Sequence, residues 1–587
     1  MNIHWKQLLF WTLLAVVIFY YLLLFGVFVF VNQEEMQLFI PAWWSIRDDL
    51  LLPGGFCEVV GQWLIQYYRQ PMSALVTHTT LLVSCGWFVC HFLRKFSEER
   101  YMRFLSLVPV VYLLKMIVLG DFLIDGLLGA FLLLGALCFL PQSHKSIFWA
   151  GYGLCMVVSL FFLAGLVSVY YALLYVLFSF FFYSKNQGLA SLPCGIVAIF
   201  ICLYSDQLGV PVPLCEGWRP EEYLEVQRLP LAYSYHVWGI LAGMLIVIGL
   251  FSFIIQKMGR NQRMRRCVLG VAFLFAIGVI AVVGRPERWQ MRRIMHEELA
   301  FLANKHQWKA IIDKCKGKAI PDYVTLNYLN MALSKEGLLA DQAFCFDQQG
   351  VKGLCADWDH TFYMDRLLSD LHYYIGDLSF SESYAMDGFT QAKRQGSSRM
   401  MRRMLQLSLL KGEVRLARKY MNLLALMPYE QAWVADYQQC LEHPERMKEM
   451  PDLKNKVWLK ERTDDPLALS VSLDSLWTSY TYAENRVAWE YAGCYYLLNK
   501  DLSSFRHFLM REPLLKPSVL PIHFQEALLL REEGKASGLF EDVDATLAER
   551  YQSFQTAMKT LGRSDMVSMY KRYGNTYWFY YYFKVIK

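Results

Sequence analysis

Charge is scarce in the first half of this 587-residue chain. Residues 1–284 hold 17 of its 58 Lys and Arg and 14 of its 52 Asp and Glu. A stretch that apolar excludes a single soluble domain and a disordered chain. Catalytic signatures are missing as well. There is no Gly-rich phosphate loop, no HExxH and no GxSxG, so nothing supports a nucleotide hydrolase, a zinc protease or a serine hydrolase. The 14 cysteines show no CxxC spacing, which leaves zinc and dithiol redox motifs unsupported. Five of them (Cys315, Cys345, Cys355, Cys440 and Cys494) follow residue 284, an odd set. Packed free thiols are the expectation for most, although a Cys345–Cys355 disulfide is open to the chain outside the cytoplasm. The net charge of +6 divides evenly about residue 284, so no nucleic-acid partner is expected.

Long apolar runs take the place of the missing charge. Lipid cannot satisfy exposed backbone groups, so a run of roughly 20 apolar residues crosses it as a helix. Nine candidates appear, at 8–31, 72–93, 104–120, 122–140, 147–164, 166–183, 189–204, 234–256 and 267–284. The first follows Lys6 without a small-residue cleavage site and reads as a retained signal-anchor. With the N-terminus inside, cytoplasmic segments carry Lys6, Arg94, Lys95, Arg100, Arg103, Lys145, Lys185, Lys257 and the Arg260–Arg266 cluster. Outer loops hold only Arg47, Arg69, Arg219 and Arg228, as the positive-inside rule requires. The nearly uncharged stretch 147–183 keeps this bias only if it folds as a hairpin near Gly165. Parity then places residues 285–587 outside the cytoplasm, and a bacterial inner membrane with a periplasmic domain is the natural setting.

The second half reads as helical throughout, with apolar residues at three- and four-residue spacing. A helix ending in Gly or an equivalent, then a second amphipathic helix, recurs at Leu333–Gly337–Phe344, Tyr374–Gly376–Ala385, Leu410–Gly412–Ala417 and Leu498–Lys500–Phe508. Gly412 through Ala417, followed by Pro428, resembles the tetratricopeptide repeat, in which a glycine turns the helices and a small alanine lets them approach. The expected fold class is therefore all-α: a polytopic membrane domain over 1–284 and an α-solenoid over 285–587. An irregular helical bundle is the alternative for the second part.

Chemistry concentrates in the first outer loop, residues 32–71. Glu34 and Glu35 follow the first span, an aromatic stretch from Phe39 to Trp44 leads to Asp48 and Asp49, and the turn Pro53-Gly54-Gly55 precedes an amphipathic segment, Phe56 to Arg69. Trp43, Trp44 and Trp63 suit helices lying in the interface, with acids at the water boundary. This layout resembles the GT-C superfamily, multi-spanning glycosyltransferases that use polyprenyl-phosphate-linked sugars and carry catalytic acids in the first outer loop. The resemblance covers residues 1–284 in layout. It implies catalysis by Glu34, Glu35, Asp48 or Asp49, a lipid-linked sugar donor, and a place for a divalent metal. Lys115, within the third span, and Arg69, Arg219 and Arg228 are the candidate phosphate partners. Each has a plainer alternative: solvated acids or helix caps, and a Lys115 that snorkels or pairs with Asp121 or Asp125.

A second resemblance spans nearly the whole chain. Glu35-Met-Gln-Leu-Phe39, Leu52-Pro-Gly-Gly55 and Gly61-Gln-Trp-Leu-Ile-Gln66 are similar to a bacterial multi-pass membrane family of unknown function. So are Leu326-Asn-Tyr-Leu-Asn330, Ala332-Leu333 with Gly337, and Phe346-Asp-Gln-Gln-Gly350. It draws attention to Gln37 and Gln66 as contacts for a polar ligand. The competing function is a membrane-anchored scaffold or assembly factor, in which the solenoid's concave face holds a protein or peptide partner. The bilayer is a partner under either reading.

Overall fold

The structure is a computed structural model. It describes the chain except residues 1, 96–101, 121, 142–144, 211–234, 258–261, 286, 321, 393–395, 455–476, 478–480, 482–484, 512–518, 532–542, 562–564 and 585–587. The described residues are α-helical and contain no β-strand. They fall into two units. The first is Met1–Ile294 together with Ala392–Ser398 and Leu426–Tyr429; the second is Met295–Gln391, Arg399–Ala425 and Glu430–Lys587.

The first unit begins with α1 (Asn2–Phe25) and α2 (Val27–Glu35), separated only by Gly26. The backbone ladder runs through that glycine, from Gly26 N to Leu22 O and from Phe30 N to Gly26 O. Then come α3 (Trp43–Leu51), α4 (Gly55–Ile65), α5 (Pro71–Arg94), α6 (Met102–Leu105), α7 (Leu107–Val118), α8 (Ile124–Cys138), α9 (Ser146–Ala164), α10 (Val167–Phe182), α11 (Lys185–Leu203), α12 (Tyr235–Lys257) and α13 (Gln262–Val283). Among the described residues six stretches are long and apolar enough to cross a membrane: Trp5–Phe25, Pro71–Arg94, Ser146–Ala164, Lys185–Leu203, His236–Lys257 and Arg266–Val283. α7, α8 and α10 are apolar but shorter. Half of the α5 window is buried, against 11% for α1 and for Arg266–Val283. Leu8, Leu9, Leu13 and Leu274 accordingly stand exposed, a surface suited to lipid rather than water.

The stretch 146–183 is two helices. Gly165 stands at φ +65°, ψ −133°, a conformation that L side chains rarely adopt, and it ends α9 before α10 begins. Polar groups inside this bundle find partners. Trp149 Nε1 donates to Ser179 Oγ at 3.0 Å, and Tyr175 OH donates to Trp149 O at 2.8 Å while its ring stacks on the indole. With no hydrophobic drive between helices in lipid, such bonds and close packing hold the spans together.

The second unit is built from helical hairpins. Its helices are α14 (Arg288–Asn304, within which the division falls), α15 (Trp308–Cys315), α16 (Tyr323–Lys335), α17 (Leu339–Gln342), α18 (Phe362–Ile375), α19 (Leu378–Gln391), α20 (Ser398–Lys411), α21 (Val414–Ala425), α22 (Gln431–Glu442), α23 (Arg486–Leu498), α24 (Leu502–Arg511), α25 (Ile522–Arg531), α26 (Ala545–Leu561), α27 (Met566–Tyr573) and α28 (Tyr577–Phe583). Gly337, Gly376, Gly412 and Lys500 stand at φ +69°, +104°, +77° and +58°, each between two helices. A left-handed residue after the last turn satisfies orphan carbonyls and reverses the chain. α21 buries Ala417, Tyr420, Met421 and Leu424, the i, i+3, i+4, i+7 stripe of an amphipathic helix.

A charged network lies inside this unit. The Asp370 carboxylate on α18 accepts from Arg399 at 2.6 Å and Arg403 at 2.7 Å, both on α20. The Arg403 guanidinium lies 3.7 Å from the Tyr373 ring centroid. Arg366 donates to Glu297 at 3.1 Å, with both side chains buried. Burial raises the Asp370 carboxyl, but the two arginines outweigh it and hold it below its ordinary value.

Candidate functional site

The last turn of α2 is polar and buried: Asn32, Gln33, Glu34 and Glu35 are all inaccessible to solvent within the protein. The expectation of acids at the water boundary therefore fails for the glutamates, which are 5% and 2% exposed. The cover comes from residues no local pattern could reveal. Met36 to Ile40 follow as buried, non-helical chain, and Ser397 and Ser398 bind the backbone at Glu35 and Gln37. Ser397 Oγ donates to Glu35 O at 2.5 Å, and Ser398 N donates to Gln37 O at 3.1 Å.

Amides line the same region. Gln37 Nε2 donates to Gln62 O on α4 at 3.1 Å, and Gln62 Nε2 reaches Glu58 at 3.4 Å. Gln66 is buried at the end of α4. Both polar atoms of Gln33, and Oε1 of Gln37, are buried with no hydrogen-bond partner among the described residues. Beyond them His78, on α5, lies 2.9 Å through Nδ1 from Ala74 O and stacks on Phe30. That contact places the proton on Nδ1 and leaves Nε2 a buried acceptor without a partner among the described residues. Gln33 was not singled out from the sequence. Its signal was the run Asn-Gln-Glu-Glu closing an apolar helix.

The other expected residues lie in varied settings. Asp48 is exposed and Asp49 partly so, on α3. Among the described residues no group of three His, Cys, Asp or Glu side chains is placed to hold a metal ion. Arg69 donates to Tyr429 O at 2.8 Å, and Tyr67 packs edge-on against the Tyr429 ring. Lys115 pairs with Glu287 at 3.1 Å, and not with Asp125 among the described residues; Asp121 lies outside them. Glu287 also accepts from Trp289 Nε1, and these two bonds hold its carboxyl below the ordinary value. Arg219 and Arg228 lie outside the described residues.

Gly54 and Gly61, from the shared motifs, are packing devices. Gly54, at φ +85°, donates its N–H to Phe161 O and Phe162 O and lies against the Gly165 backbone. A Cβ at Gly61 would stand 3.0 Å from the Asp125 Cβ, so the glycine is what lets α4 close on the start of α8. Asp125 is buried in the first turn of α8.

Membrane-length apolar helices, a buried polar layer beside them and a hairpin-built second unit define a polytopic all-α membrane protein. The chain belongs to a family of unknown function, DUF6057, whose profile matches residues 2–584. No curated protein and no solved structure matches it.

Proposed function

We propose that this protein is a GT-C-like glycosyltransferase of the bacterial inner membrane, taking sugar from a polyprenyl-phosphate carrier on the periplasmic side with Glu34 and Glu35 as its acids. One observation carries the reading: adjacent carboxylates are buried at the C-terminal end of a helix, beside glutamine amides with unspent hydrogen-bonding capacity. A carboxylate there opposes the helix dipole and loses hydration, a double cost that a merely structural acid does not require. A sugar ring offers the alternating donors and acceptors that Gln33 and Gln37 lack. One glutamate would serve as general base toward the acceptor hydroxyl, or hold a divalent cation beside the leaving phosphate. Asp48, being exposed, drops out of the catalytic set, and Arg69 and Lys115 already have protein partners. The tetratricopeptide-like second unit would orient the acceptor.

The test is transfer of labelled sugar in membranes carrying single variants. Glu34→Gln or Glu35→Gln should cut transfer by about 100-fold or more at normal protein level, while Asp48→Ala stays near wild type. If both glutamate variants transfer at the wild-type rate, the enzymatic reading is wrong. The scaffold reading rests on a groove of about 490 Å³ along α21, lined by Arg415, Arg418 and Lys419 with Val414, Asn422 and Leu423. It predicts one acidic protein partner, lost when the three cations are changed to alanine.

A further inference from the structure

α21 has two unlike faces. Ala417, Tyr420, Met421 and Leu424 are buried within the second unit. On the other side two rows run along the helix at four-residue spacing, Val414–Arg418–Asn422 and Arg415–Lys419–Leu423. Residues four apart lie one above the other, so these six side chains share one surface. They line a groove of about 490 Å³, a volume within the range of small-ligand sites. All of them but Leu423 are exposed.

The three cations of this groove differ from those on the preceding helix. The arginines of α20 face carboxylates: Arg399 and Arg403 bind Asp370, and Arg402 lies 3.8 Å from Glu430. Lys411, in the last turn of α20, pairs with Glu382. Arg415, Arg418 and Lys419 have no ion pair or hydrogen bond among the described residues. Arg415 stands at i, i+3 from Arg418 and at i, i+4 from Lys419, like-charge neighbours that repel until an anion comes between them.

The chain beyond α21 indicates which anion. Leu426–Tyr429 follow directly and belong to the first unit. There Arg69 Nη1 donates to Tyr429 O at 2.8 Å, and the Tyr67 and Tyr429 rings meet edge-on with centroids 5.6 Å apart. Arg69 stands two residues before Pro71, where the membrane-length helix α5 begins. Four residues therefore tie the end of α21 to the entry of a span, and four residues reach at most about 14 Å. Phospholipid headgroups occupy that level of a bilayer. Val414 and Leu426 are exposed beside the cations, and long basic side chains rest their stems on such apolar surface while the charges reach outward.

We infer that Arg415, Arg418 and Lys419 form a headgroup site for anionic phospholipid, in the leaflet at the start of α5. The inference is independent of the glycosyltransferase reading, and it gives to lipid the groove that the scaffold reading gives to an acidic protein. Each guanidinium holds a phosphate through paired N–H donors, and the lysine adds a point charge. A cation near an anionic bilayer strengthens attachment about 5-fold, so three together give about 100-fold.

The experiment places the full chain in nanodiscs of equal phosphatidylglycerol and phosphatidylcholine. Asn422→benzoylphenylalanine supplies a photoreactive probe in the groove, and mass spectrometry identifies the lipid it captures. Phosphatidylglycerol should be captured in about 10-fold excess or more, falling toward parity as salt rises from about 0.05 to about 0.5 M. Arg415→Ala, Arg418→Ala and Lys419→Ala together should abolish the excess without changing the thermal unfolding midpoint. Arg415→Lys with Arg418→Lys should keep most of it. Equal capture of the two lipids, no lipid adduct, or an excess that survives the triple change would overturn the lipid site. Loss of the excess in inorganic phosphate at constant ionic strength would overturn it too, in favour of a soluble phosphate. So would a protein adduct replacing the lipid adduct in native membranes, in favour of the acidic partner.

Discussion

Asp370 shows what burial demands of a charge. Removing one of its arginines leaves a carboxylate under-compensated in the interior, a change that costs about 3–5 kcal/mol. Arg399→Ala should therefore lower the stability of the second unit by about that amount in urea unfolding followed by tryptophan fluorescence. The same unit should show two pH limits. The Asp370 carboxyl is depressed by Arg399 and Arg403, so its contribution is present above the ordinary carboxylate pKa and disappears as acid approaches the lowered value. His372 is raised to about 9, so its contribution is complete below the ordinary imidazole pKa and fades as pH climbs through about 9. Little of this was legible in the sequence. Asp370 and Arg399 belong to separate helices, and no spacing rule joins them. Glu34 and Glu35 were legible as acids worth testing, but their burial was not, because Ser397 and Ser398 come from the far half of the chain.

Among the elements, turns were the easiest to read. Gly337, Gly376, Gly412 and Lys500 marked helix ends in the sequence, and all stand at positive φ. At the three glycines there is no Cβ to clash, which is why a one-residue signal sufficed there, while Lys500 takes the same region with a side chain. Gly376→Ala should cost about 1–2 kcal/mol of second-unit stability. Gly151→Ala is the contrasting change. It lies inside α9 with nothing within 4 Å of the new Cβ, and thermal unfolding should shift little or slightly upward. Pro53-Gly54-Gly55 was equally plain as a turn. Its docking on Gly165 was not, because two backbones meeting across a bundle leave no periodic trace.

For the molecule as a whole, the apolar runs and the bias of basic residues carry most of what the sequence tells. They predict a reporter fused after Lys95 to be cytoplasmic and one fused to the C-terminus to be periplasmic, read by paired cytoplasmic- and periplasmic-active enzymes. A C-terminal reporter active in the cytoplasm would remove the periplasmic assignment. What composition could not convey is that the first unit is discontinuous in sequence: it ends its main run at Ile294 and takes back Ala392–Ser398 and Leu426–Tyr429. This has a consequence for biogenesis. A ribosome adds roughly 5–20 residues per second, so the last piece of the first unit emerges roughly 7–27 s after Ile294. Until Ser398 emerges, roughly 5–21 s after Ile294, the backbone carbonyls of Glu35 and Gln37 wait without Ser397 and Ser398. A nascent chain stalled between Ile294 and Ser397 would carry every membrane-length apolar helix and still lack the serines that bind the backbone beside its glutamates.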